Sequence, residues 1–170
     1  MVYQPAPRRA DNPREWGGST STAEPQNPSE APAPAAGKTR SGRHPAQYLA
    51  LVVGLAFVAA GIAGFFVTGF DGWIDRDTGE TLLGLEINPL HNVVHLVIGL
   101  GGLALWRTLS GARTYGLLLF LGYGATFVYG LFAVENSDIN ILSLNTADNW
   151  FHLASAVVGL VIAVLPPRRR

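Results

Sequence analysis

The chain has 170 residues, of which 48% are hydrophobic and only 14% charged, and its formal net charge is zero. This apolar content is too high for an ordinary soluble domain. Cysteine is absent, which excludes disulfides, thiolate metal sites, iron–sulfur clusters and covalently attached haem.

The first 45 residues are rich in proline, alanine and serine, and they hold eight of the chain's eleven prolines. A segment of this composition has too little apolar area to offset the entropy of ordering the chain. We therefore predict that residues 1–45 form a disordered cytoplasmic tail, and that residues 46–170 form a four-helix transmembrane domain.

Four apolar segments follow the tail, at about 48–70, 89–106, 114–134 and 146–165. The first carries no formal charge from Tyr48 to Phe70. As a helix it is about 34 Å long, whereas the hydrocarbon core of a bilayer is about 30 Å thick. The sequence therefore predicts an all-α membrane protein with four transmembrane helices.

The charges predict the orientation of these helices. If the amino terminus is cytoplasmic, eleven of the twelve Lys and Arg residues lie inside, and only Arg76 lies outside. This is the positive-inside pattern of membrane proteins, and the two outer loops are acidic instead. We therefore expect both termini to be cytoplasmic.

A polar motif occurs twice, 57 positions apart. The segments "NPLHNVVHL" (88–96) and "NTADNWFHL" (145–153) share two Asn, one His and one Leu in register, and residues 54–70 align without gaps with residues 116–132. This pattern predicts two repeated parallel hairpins, related by an axis along the membrane normal.

Asn88 and Asn145 are predicted to cap the second and fourth helices. Asn is a favoured N-cap residue, and Pro89 fits the first helical position, where no N–H group is needed. Asp148 in the first turn of the fourth helix suits the positive end of the helix dipole.

Two further polar pairs lie deeper in the same helices, namely Asn92 with His95 and Asn149 with His152. The members of each pair are three residues apart and therefore share one helix face. Both helices must begin near their caps to span the bilayer, which puts the two pairs inside the outer leaflet. Polar groups at that depth are costly in lipid, so we expect them to face the bundle interior.

Three uses of this cluster remain open. In the first, the four side chains hydrogen-bond to one another and fix the helix packing. In the second, His95 and His152 ligate haem b. In the third, the cluster forms a proton site or binds a divalent metal ion such as zinc. The candidate ligands of that ion are His91, His95, Asp148 and His152.

No hydrolase, phosphate-loop or dinucleotide-binding motif is found in the sequence. We therefore predict a non-catalytic protein without a cofactor, whose polar cluster fixes the helix packing and offers a site for a ligand or partner. The alternative is a redox or transport component that binds haem b or a metal ion through His95 and His152. Its expected partner is the lipid bilayer, together with another membrane protein or a second copy of the chain as candidates. No nucleic-acid partner is expected.

Three segments carry a family resemblance: "NPLHNVVHLVIGLGGL" (88–103), "RTYGLLLFLGYG" (113–124) and "LNTADNWFHLASAVVGL" (144–160). In these segments the chain resembles an uncharacterised four-helix membrane family, domain of unknown function 4383, which is common in actinobacteria. The resemblance implies a four-span topology in a bacterial plasma membrane. It implies no activity, since none is assigned to the family.

Overall fold

The computed structural model describes residues 42–166, which form four α-helices and one short β-hairpin. The helices are α1 (Pro45–Thr68), α2 (Pro89–Leu105), α3 (Leu109–Ala133) and α4 (Thr146–Val164), and the strands are β1 (Thr81–Leu82) and β2 (Leu85–Glu86). Helices α1, α3 and α4 are long and apolar enough to cross a membrane, whereas α2 has 17 residues. The predicted helical class and the number of helices are confirmed.

Two helices begin earlier than the apolar segments predict. Helix α1 starts at Pro45 because His44 caps it: its Nδ1 accepts the Ala46 N–H, and the Gln47 side chain accepts the His44 N–H. Helix α3 starts at Leu109 because Thr108 accepts the Gly111 N–H through Oγ1 at 2.9 Å. Of the tail predicted for residues 1–45, residues 1–41 lie outside the described residues, and Pro45 is the first residue of α1.

Helices α1 and α2 form the first hairpin, in which glycines bring the two backbones together. A methyl group at Gly99 would lie 2.5 Å from the Val58 nitrogen, and one at Gly102 would lie 2.8 Å from the Gly54 Cα. Approach at this distance leaves no room for a side chain. It is the packing that small residues allow between membrane helices.

Helices α3 and α4 form the second hairpin in the same way. A methyl group at Gly159 would lie 2.6 Å from the Phe120 nitrogen, and one at Gly116 would lie 2.7 Å from the Gly159 oxygen. Each hairpin therefore has a close-packed helix interface of its own.

The two hairpins meet through larger side chains. Phe57 of α1 stacks on Tyr123 of α3 with ring centroids 5.3 Å apart, and Tyr115 and Leu119 are buried in the same core. This contact leaves two crevices between the hairpins. One lies between α2 and α3 and has a volume of about 410 Å³, and the other lies between α1 and α4 and measures about 380 Å³.

One end of the bundle, where α1 begins and α4 ends, is here called the terminal end. The His44 ring lies 2.8 Å from the Pro166 oxygen there, and Gln47 donates to the Arg107 oxygen at 2.7 Å. Arg113 donates to the Leu165 oxygen at 2.7 Å. Side chains thus satisfy carbonyl groups at the ends of α2 and α4.

The opposite end, where α2 and α4 begin, is called the polar end. The β-hairpin lies there, and its turn residues Leu83 and Gly84 both have positive φ, at 56° and 86°, as a type I′ turn requires. The loop before α4 joins this segment through Ser143, whose Oγ lies 2.8 Å from Glu86 Oε1 and accepts the Thr78 N–H at 3.2 Å. The two loops therefore form one cover over the starts of α2 and α4.

Candidate metal centre at the polar end

Asn88 stands at the N-cap of α2 and is fully buried. Its Oδ1 accepts the His91 N–H at 2.9 Å. Its Nδ2 donates to the Asp75 oxygen at 2.9 Å and to the Ile141 oxygen at 2.8 Å, one in each loop of the polar end. One side chain thus begins a helix and joins both loops.

Asn145 stands at the N-cap of α4 in a reciprocal capping box with Asp148. Asn145 Oδ1 accepts the Asp148 N–H at 3.0 Å, and Asp148 Oδ2 accepts the Asn145 N–H at 3.0 Å. The N–H of Glu86 in β2 also donates to Asp148 Oδ2 at 2.9 Å. These two N–H groups fix the orientation of the Asp148 carboxylate.

The other oxygen of this carboxylate, Asp148 Oδ1, is buried and has no hydrogen-bond partner among residues 42–166. Asp148 is 1% exposed. A buried carboxylate oxygen without a partner is costly. A bound cation is one group that would satisfy it.

His91 is held from the loop before α4. Its Nδ1 lies 3.1 Å from the Leu142 oxygen, and because a carbonyl only accepts, Nδ1 carries the proton. The lone pair of the neutral ring is then on Nε2. In metal sites, the ring nitrogen of a histidine that does not bind the metal often donates to a main-chain carbonyl in this way, which fixes the tautomer.

His91, Asp148 and His152 come together at the polar end, and one donor atom from each lies within 4.8 Å of the others. All three residues are buried. His152 Nδ1 has no hydrogen-bond partner in the described chain. Two imidazole nitrogens and one carboxylate oxygen make a donor set that zinc and similar divalent ions accept.

His95, the fourth predicted ligand, lies outside this group of three. Its ring is 4.5 Å from the His91 ring, and both of its nitrogens are buried without a partner within residues 42–166. The structure therefore brings together three of the four predicted metal-binding residues, and places His95 about one helical turn further along α2.

The surroundings of His95 and His152 do not favour the haem hypothesis. The Phe57 ring lies 5.3 Å from His95, the Tyr123 ring lies 5.3 Å from His152, and these two aromatic rings stack on each other. A haem ligated by both imidazoles would have to displace this stack. The packing fits a single ion better than a macrocycle.

The contacts of Asn92 and Asn149 also differ from the predicted hydrogen-bond network. Asn92 Nδ2 donates to Thr68 Oγ1 on α1 at 2.9 Å, and its amide packs against Gly64. The Asn149 amide packs against Gly130 on α3. In the described residues, no hydrogen bond joins these two amides to His95 or His152, so each Asn belongs to the interface of its own hairpin.

The groups that support the site were not identified from the sequence. They are main-chain atoms, namely the N–H of Glu86 and the carbonyl of Leu142. No residue type signals such contacts. Neither the acidic loop that contains Glu86 nor the loop that contains Leu142 and Ser143 carries a sequence motif that would have revealed these contacts.

Comparison with known proteins identifies the family of the chain without an activity. Residues 47–165 match the model of a family described as a domain of unknown function, DUF4383. No curated protein and no solved structure matches the chain significantly. Because the match covers well over half of its length, the chain belongs to the DUF4383 family.

Proposed function

We propose that this protein spans the bacterial plasma membrane four times, with both termini in the cytoplasm, and binds a divalent metal ion of the zinc type at its polar end. The proposed role is non-catalytic. The observation that carries the metal proposal is the convergence of donor atoms from His91, Asp148 and His152 within 4.8 Å.

The charges at the two ends of the bundle support the orientation. Arg43, Arg107 and Arg113 lie at the terminal end, and the Arg43 guanidinium lies 4.8 Å from the centre of the Trp106 ring. An excess of cationic side chains is typical of the cytoplasmic side of a membrane, and tryptophan is typical of either membrane interface. The polar end, with its acidic loops, then faces outward.

The length of α2 is compatible with a fourth span. Its 17 residues make a helix about 26 Å long. The bilayer accommodates a helix shorter than about 30 Å by local thinning. The first turn of α2 is buried against the loops of the polar end rather than against lipid.

Matching contacts in the two hairpins support the proposed repeat. Gly54 approaches Gly102 in the first hairpin, as Gly116 approaches Gly159 in the second. The other matched pairs are Thr68 with Asn92 and Gly130 with Asn149. Adding 62 to the residue number in α1 and 57 to the residue number in α2 converts each contact of the first hairpin into its counterpart in the second.

The metal geometry requires a small adjustment. Donors of a tetrahedral zinc site lie about 2.1 Å from the ion, and thus about 3.4 Å from one another. The three donor atoms here lie within 4.8 Å, so each side chain would move inward by less than about 1 Å. Three protein donors leave one position for water or another ligand.

Zinc binding to the purified full-length protein tests the proposal. The protein, carrying a tag without histidine, is titrated with zinc in detergent and its bound metal is measured after desalting. We expect about one ion per chain, and His91→Gln, Asp148→Asn or His152→Gln should weaken binding by more than about 100-fold.

Two histidines outside the group provide matched controls. His95→Gln removes the imidazole next to His91, and His44→Gln removes one at the terminal end. Both variants should retain zinc. Absence of zinc binding by the wild type would refute the metal site, and equal loss in His95→Gln would refute the three-residue ligand set.

A further inference from the structure

The crevice between α2 and α3 extends from the metal site to the terminal end. It begins at His91 and His152 and reaches Leu105 and Tyr115, with a volume of about 410 Å³, which is in the range of small-molecule sites. Val97 on its lining is 63% exposed. In a membrane, that exposed surface would face lipid, so the crevice opens sideways into the bilayer.

Hydrogen-bonding side chains without partners line this crevice. They are His95, with both ring nitrogens, and Tyr115 and Tyr123, with their hydroxyls. All three side chains are more than nine-tenths buried, and none of these atoms has a partner within residues 42–166. Buried polar groups are normally satisfied, by protein, water or ligand.

Two glycines in the crevice face open space. A Cβ atom added at Gly101 of α2 or Gly122 of α3 would meet no atom within 4 Å. This contrasts with Gly159, where an added methyl would overlap the neighbouring backbone. The glycines of the crevice therefore provide room rather than a helix contact.

We propose that this crevice binds a lipid-soluble molecule with a flat, uncharged head that carries carbonyl or hydroxyl oxygens, the chemistry of a quinone on an apolar tail. A neutral imidazole offers one N–H donor and one lone pair, and a tyrosine hydroxyl offers both as well. His95 and Tyr123 therefore match an oxygen-bearing head.

The lining also indicates what the crevice does not accept. It includes no Lys, Arg, Asp or Glu from the described chain. A charged lipid headgroup at this depth would be left without a counter-ion. Two of the side chains that line the crevice, Tyr123 and His152, are aromatic, with ring centroids 5.3 Å apart, and an aromatic lining favours a planar head.

Decylubiquinone binding to the purified protein tests the proposal. Binding is followed by native mass spectrometry and by the shift in melting temperature, and decylbenzene serves as a probe of similar shape without oxygen. We expect decylubiquinone to bind and decylbenzene to bind at least about tenfold more weakly. Tyr123→Phe and His95→Phe should each weaken quinone binding by about tenfold.

A matched pair of glycine variants tests the location. Gly122→Leu fills the crevice, whereas Gly124→Leu adds the same side chain to the same helix, at a position with open space that does not line the crevice. The first variant should lose the quinone and the second should retain it, and both should bind zinc as the wild type does.

Three results would overturn the proposal. The first is that decylubiquinone does not bind, and the second is that decylbenzene binds equally well. The third is that Gly122→Leu retains the quinone. Because neither His95 nor Tyr123 belongs to the group of three metal donors, failure of this proposal and failure of the metal site give different results.

Discussion

Replacing Asn88 by alanine should destabilise the protein much more than the same change at Asn145. Both residues accept a backbone N–H at a helix start, and losing such a cap costs about 1 kcal/mol. Asn88 is fully buried and also donates to the carbonyls of Asp75 and Ile141. Each carbonyl left without its donor adds about 1 kcal/mol, so the total for Asn88→Ala is about 3 kcal/mol.

Asn145→Ala should cost only about 1 kcal/mol. Its amide nitrogen donates to the Gly84 oxygen in an exposed position, where water replaces the lost bond. The free energy of unfolding is measured for both variants by titration from mild detergent into dodecyl sulfate, with helical circular dichroism as the signal. Equal destabilisation by the two changes would refute the view that Asn88 joins the two loops.

Two further predictions concern packing and backbone strain. Gly159→Ala places a methyl 2.6 Å from the backbone of α3 and should lower the free energy of unfolding by about 1–3 kcal/mol. Gly122→Ala meets no atom within 4 Å and should be neutral or up to about 1 kcal/mol stabilising. Equal effects of the two changes in the same titration would contradict the close helix contact at Gly159. Ser143 has a φ of 51°, a left-handed backbone conformation that glycine adopts without the steric cost of a Cβ atom. Ser143→Gly should therefore be about 1 kcal/mol more stable than Ser143→Ala, although both variants lose the hydroxyl. Equal stability of the two variants would show that the left-handed backbone carries no penalty.

The sequence predicted the helices where a single physical signal dominates. Apolar length defines α1 and α4 within a few residues, and Asn88 followed by Pro89 marks the start of α2. The start of α3 was predicted five residues late, at 114 rather than Leu109. The polar residues after Thr108 resemble a loop by composition, although Thr108 itself is a recognisable cap.

The candidate site was only partly predictable for a different reason. Repetition of the motif drew attention to His95 and Asn92, but helix rotation decides which residues of a repeated motif meet. The structure turns Asn92 toward α1 and brings His91 toward Asp148. The β-hairpin was not predicted at all, because its turn uses Leu83 with Gly84 instead of the usual Asn-Gly or Asp-Gly pair.

The contrast between the two kinds of helix contact has a mechanical consequence. Within each hairpin the backbones touch at Gly54 and Gly102 or at Gly116 and Gly159, whereas the hairpins meet through side chains and two crevices. Along the bundle, each hairpin is therefore packed more closely within itself than against the other hairpin, and we expect rocking of one hairpin against the other to be the easiest collective motion. An ion held by His91 of the first hairpin and Asp148 of the second, or a molecule in the crevice, would oppose that motion.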